Sequence, residues 1–163
     1  MPAAAILLAV PLLLVLRGWT LHPDHGPDSP APDMAWIELE LKYQKAARFL
    51  SPLLEARIDT TVLAAGDIGA LGYFTDAVIL DTLGLVSPQA VPCSPTRPEY
   101  HANAFAVSPD LINDLQPDFI VLLEVYGREG LFKDPQFQEK YELLHVVEKE
   151  IYDSEGMLIF WKH

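Results

Sequence analysis

The sequence predicts a mixed α/β fold, and three observations predict it. Three short, nearly continuous apolar runs, 60–65, 77–81 and 118–123, have the length of strands buried on both faces. Helical segments separate these runs, which implies crossover connections and a parallel sheet. Two later runs, 142–151 and 157–161, flank Asp153-Ser154-Glu155-Gly156 and read as an antiparallel hairpin added at one edge.

Each element can be justified in order. Pro2 to Leu16 is an unbroken apolar run. With Arg17 to Leu21 it approaches the roughly 20 residues a helix needs to cross a bilayer. Residues 1–21 are therefore expected to form one N-terminal apolar membrane helix. Arg17 would reach toward the headgroups, Trp19 would suit the interface, and Pro11 is tolerated in such a helix. A cleaved signal peptide fits less well, because no Lys or Arg precedes the run and no small-x-small site follows it. A buried helix of a soluble protein is the remaining reading.

Residues 22–32 hold four prolines in eleven positions and read as a linker. His22, Asp24, His25 and Asp28 lie in it, but a proline-rich linker does not preorganise metal ligands. Residues 33–163 form the expected soluble α/β domain.

Asp33 suits the start of a helix running from Met34 to about Leu50, with a wide apolar face. Pro52 is expected to kink or reset it before Leu53 to Ala56. Thr60 to Ala65 is the first strand, Gly66 to Phe74 a turn and short helix, and Ala77 to Asp81 the second strand. A proline-containing loop spans Gly84 to about Val107. Ser108-Pro109-Asp110 starts a helix that ends near Leu115. Asp118 to Leu123 is the third strand, Asp134 to Lys140 a short helix, and the hairpin closes the chain. The sum is a small Rossmann-like three-layer domain with a mixed sheet and no internal repeat.

Composition narrows the partners. The chain of 163 residues carries a net charge of −12, and Arg17 is the one charged residue before position 20. The rest, with 10 basic and 23 acidic side chains, repels phosphate backbones, so nucleic-acid binding is not expected. Anionic headgroups would repel it as well, so attachment to a membrane must be hydrophobic. The single cysteine, Cys93, excludes an intramolecular disulfide.

The candidate site lies in residues 66–88. Gly66, Gly69 and Gly72 follow a buried strand, where doubly wound sheets bind ligands. Their G-x-x-G-x-x-G spacing is not the dinucleotide fingerprint, Asp67 would repel a phosphate, and no Lys or Arg is near. The bland reading is a tight turn with close helix–strand packing and Asp67 capping the helix.

Asp67 and Asp81 end consecutive strands and are a possible carboxylate pair for acid–base or metal work, though capping of loop amides is favoured. Tyr73, Phe74, Tyr100 and Tyr126 fit either a sugar-binding platform or core packing. Cys93 and His101 lack an orienting acid at a diagnostic spacing, and His145 and His163 carry no motif. The binding candidates are therefore Asp67, Gly69, Gly72, Tyr73 and Asp81, with no catalytic residue, metal or cofactor assigned.

The stretch Ala65-Gly66-Asp67-Ile68-Gly69-Ala70-Leu71-Gly72-Tyr73-Phe74, continued by Ile79-Leu80-Asp81-Thr82-Leu83-Gly84-Leu85-Val86-Ser87-Pro88, resembles a recurring pattern. It is similar to the C-terminal extracytoplasmic domain of bacterial integral-membrane glycosyltransferases of the GT-C class, including arabinofuranosyltransferase-like proteins. Gln116-Pro117-Asp118-Phe119-Ile120-Val121 is similar to a later strand of the same domain. The resemblance covers roughly residues 1–123.

It implies an extracytoplasmic domain on a cell membrane, a multi-spanning glycosyltransferase core as partner, and support for acceptor or glycan binding. In that family the core holds the polyprenyl-phosphate sugar donor and the catalytic acid. This sequence has at most one membrane helix and nothing corresponding to the loop that carries that acid, so a C-terminal fragment or a stand-alone domain acting with a partner is expected, and no catalytic residue carries over. A single-pass membrane-anchored binding or scaffold protein without a link to glycan synthesis is the alternative.

Overall fold

The computed structural model describes residues 10–13, 35–55, 61–93 and 105–163. The expected membrane helix and the proline-rich linker lie outside the described residues except for a helical turn at 10–13, where Val10, Leu12 and Leu13 are exposed. Among the described residues, no helix is long and apolar enough to cross a membrane.

Helix α1 spans Ala35–Glu55. It buries Leu39, Tyr43, Ala46, Ala47, Leu50 and Leu54, a stripe at the spacing that puts side chains on one helix face. The helix runs on through Pro52, so the chain is not reset there. Proline removes one amide donor, but here it stands in the last turn, and burial of Leu54 keeps that turn on the body.

Strands β1 (Val62–Ala65) and β2 (Val78–Asp81) pair in parallel, joined over α2 (Gly69–Phe74). After β2 the chain makes a 3-10 segment, Pro88–Cys93, within what the sequence suggests is plain loop. Helix α3 (Pro109–Leu115) then leads into β3 (Phe119–Leu123), which pairs in parallel with the other side of β1. Ser108 takes the expected N-cap position of α3 with Pro109 behind it, without a side-chain cap bond. The fully buried run of β3 explains its continuous apolar sequence.

Two short elements have no periodic signal in the sequence, α4 (Glu124–Gly127) and a 3-10 turn at Leu131–Lys133. Helix α5 (Pro135–Lys140) begins as expected, with the Asp134 carboxylate accepting from the Phe137 amide at 2.9 Å. The hairpin of β4 (Tyr141–Ile151) and β5 (Ser154–Lys162) completes a five-stranded mixed sheet of order β2-β1-β3-β5-β4. Its turn is Tyr152-Asp153, both at positive φ (52° and 61°), not the expected Asp153 to Gly156. Gly156 lies inside β5.

Helices cover both faces. On one face α1 and α2 pack Leu50 and Leu71 against Leu63, Ala65, Val121 and Leu123. On the other, Ile112, Leu131 and Phe137 pack against Ala64, Leu80, Ile120 and Leu122. At the amino ends of the strands Asp118 links two of them. Its carboxylate accepts from the Val62 amide and its own amide donates to the Val62 carbonyl, both at 2.9 Å. This fixes the register of β1 against β3.

Candidate functional site

From β1 the chain first moves out to β2 and later returns to β3 on the opposite side, with α2 and α3 contributing to opposite core layers. Such a reversal leaves a crevice at the carboxyl ends of the two strands it separates. The loop after β1 places Asp67 at that end, and α4, directly after β3, places Tyr126 there. The Val107 amide donates to the Tyr126 carbonyl at 2.9 Å, which fixes α4 against the segment entering α3.

Asp67 is the centre of a converging set. The Asp67 backbone lies near the hydroxyl of Tyr43, a residue of α1 that is 1% exposed. Burial chiefly, then the Asp67 carboxylate, pushes the Tyr43 phenol well above its ordinary range. The Tyr126 phenol is pushed up to about 12, first by burial, then by Tyr152 and Asp67. Tyr152 of the hairpin turn is raised by burial and by Asp67. Glu40, one helical turn before Tyr43, is raised by partial burial and by Asp67.

Burial alone raises Asp67 itself. Among the described residues no hydrogen bond or neighbouring cation offsets that cost, as one would in a capping or ion-pairing role. Asp67 is therefore not the helix cap expected from the sequence: the N-cap of α2 is Ile68, with no side-chain cap bond. A half-buried carboxylate at the carboxyl end of a strand, with no donor to it among the described residues and three phenols whose ionisation it opposes, is a candidate ligand site.

The other expected residues separate from Asp67. The Asp81 carboxylate is 2% exposed and fully engaged, accepting from the Leu83 amide at 2.8 Å and the Val86 amide at 2.9 Å. The Asp81 amide in turn donates to Ser87 Oγ at 2.9 Å. With Gly84 at φ +79°, these bonds explain why this loop has an Asp, a Gly and a Ser where it does. Asp81 thus takes the favoured capping role, and the segment from Asp81 to Pro88 reads as architecture.

Gly69 faces open space and Gly72 would meet only Ile79 at an ordinary 3.7 Å, so neither is needed for close helix–strand packing. Tyr73 is 84% exposed beside Phe74, their rings edge to face at 4.9 Å, and neither is among the groups acting on Asp67.

Of the aromatic candidates only Tyr126 joins the cluster. Tyr100 and His101 lie outside the described residues. Burial, Asp114 and Asp110 all push the Cys93 thiol up, which is the reverse of an activated thiolate. His145 is exposed and stacks on Phe49 at 4.2 Å. No group of three or more metal-ligating side chains is present among the described residues.

Sequence reasoning missed Tyr43, Glu40 and Tyr152. Tyr43 sits on the apolar stripe of α1 and is indistinguishable there from a core aromatic. Tyr152 becomes available only because the hairpin turn is tighter than its glycine suggests.

Residues 34–160 match the model of a family described as a domain of unknown function, DUF8728. The chain belongs to this family. The match takes in α1, all but the end of β5, and the residues grouped around Asp67, so the DUF8728 domain is the sheet with its two helical layers. The apolar run Pro2 to Leu16 falls outside it. Comparisons with curated proteins and with solved structures find no match.

Proposed function

We propose that this chain is a membrane-tethered accessory domain of a glycosyltransferase system of the GT-C class, and that it binds a glycan or acceptor at the crevice around Asp67 without completing the transfer. In this reading the apolar run at 2–16 is the tether, the body is extracytoplasmic, and a multi-spanning core supplies donor and catalytic acid. The body is read as Rossmann-like, a reading supported by the parallel trio β2-β1-β3 between two helical layers.

One observation carries the binding role: a half-buried Asp67 carboxylate that has no partner among the described residues and acts on the phenols of Tyr126 and Tyr152. A carboxylate accepts hydrogen bonds from sugar hydroxyls, and tyrosine offers a flat apolar ring with a polar tip. The absence of a cation acting on Asp67 suits an uncharged polyol better than a phosphorylated one.

The test is calorimetric titration of the full chain in detergent with a panel of neutral oligosaccharides, alongside an assay of transfer from polyprenyl-phosphate sugars. Binding that is lost in Asp67→Asn, with no transfer, is the expected result. Transfer by the chain alone would overturn the accessory role. Absence of binding across the panel would overturn the glycan site.

A further inference from the structure

We propose that the cleft between α1 and α2 is a membrane-contact face, resting on the neutral headgroup region of the bilayer in which the N-terminal run is embedded. The proposal rests on the tether reading above and adds an orientation to it.

Helix α1 carries two apolar stripes. One is the buried face already described. The other is Ile37 and Leu41, 49% and 45% exposed, with Gln44 a turn further on. These residues, with Glu40 and with Ala70 and Phe74 of α2, line an open cleft of about 320 Å³. Phe74 is partly exposed, and Tyr73 stands beside it almost wholly in solvent. A tyrosine–phenylalanine pair flanking exposed aliphatic side chains is the composition that settles at a membrane–water interface.

The length and end point of the preceding chain decide the occupant. Residues 1–34 precede α1, and Ile37 is the third residue of that helix. Eleven linker residues reach about 34 Å even when fully extended at ~3.1 Å each. A body of this size is about 36 Å across. A tether no longer than the body holds the face that begins at Ala35 toward the bilayer, and that face carries the exposed Ile37 and Leu41.

Charge selects the lipid. Glu40 stands at the cleft already desolvated and repelled by Asp67, so neutral headgroups are accepted and anionic ones are not.

The experiment uses the full chain in phosphatidylcholine nanodiscs, with Cys93→Ser as background. Single cysteines from Leu12→Cys, Leu41→Cys or Glu139→Cys carry an environment-sensitive fluorophore, and nitroxide-labelled lipid is the quencher. Labels at 12 and 41 should both be quenched roughly twofold or more, as buried interfacial groups are, and the label at 139 should not. Adding phosphatidylglycerol should weaken quenching at 41 and leave 12 unchanged.

Quenching at 12 but not at 41 overturns the contact face and leaves the tether standing. No quenching at 12 overturns the tether and the contact face with it. Quenching at 41 that rises with phosphatidylglycerol overturns the charge argument, and a sedimenting dimer that shields position 41 without lipid assigns the cleft to a second copy instead.

Discussion

Asp67, in the loop that ends β1, lies near the hydroxyl of Tyr43, a side chain buried in the α1 layer. Among the described residues no donor engages the Asp67 carboxylate.

The first prediction concerns that carboxylate. Its folded-state pKa lies above the ordinary 3.8, so its favourable contribution is complete below about that pH and is lost as pH rises through the raised value. Asp67→Asn should match the wild type near pH 4 and exceed it at pH 7 by up to about 0.5 kcal/mol, the scale of a half-exposed site. Urea unfolding at the two pH values checks this. A less stable variant at pH 7 would mean that the carboxylate has a donor after all.

Asp81 should behave in the opposite way. Asp81→Ala leaves two loop amides without their acceptor and should cost about 2–3 kcal/mol, with Ser87→Ala costing about 1 kcal/mol. Glycan affinity of folded Asp81→Asn should be unchanged, because the side chain serves its own loop. Denaturation midpoints and the titration above separate the two effects.

The ring of Phe132 lies directly against Gly127, where any Cβ would collide with it. Gly127→Ala should therefore cost about 1–3 kcal/mol, as overpacking does. Combined with Phe132→Leu, the loss should be smaller than the sum of the single changes by about 1 kcal/mol. A double-mutant cycle from thermal unfolding reads this directly, and strict additivity would refute the contact.

Arg128 grips Glu124 with two bonds, Nε to Oε1 at 2.8 Å and Nη2 to Oε2, and donates to the Asp153 carbonyl at 2.8 Å. The bond from Arg128 is the main reason that Glu124 lies below its ordinary 4.5. Stability from the pair is present above about that pH and is lost as pH falls through the lowered value. Arg128→Met should cost about 1 kcal/mol at pH 7 and flatten this acid limb. A pH series of unfolding curves tests it.

The parallel strands were legible because their runs are short, apolar and bounded by glycine, proline or aspartate, and nothing competed with that signal. Asp134 and Ser108 likewise announced their helices. The helix outlasts Pro52, where the sequence suggested a kink or a reset, because a proline in the final turn removes only one amide donor and Leu54 beyond it is buried. The turn at Tyr152-Asp153 misled because Gly156, the conspicuous residue, is needed within a strand, where a Cβ would come 3.0 Å from the Val147 carbonyl oxygen. Asp67 was visible as a candidate, but its ring of phenols comes from α1, α4 and the hairpin turn, and no spacing along the chain encodes that meeting.

Strand β4 is the outermost member of the sheet, eleven residues long, and its register slips between Leu143 and His145 and again between Glu148 and Ile151. Each slip inserts one residue, bends the strand and interrupts its outward row of peptide groups. An unbroken border of that length would let neighbouring molecules zip together edge to edge. Interrupted twice, it presents only short segments, a poorer template for edge-to-edge pairing than an unbroken strand.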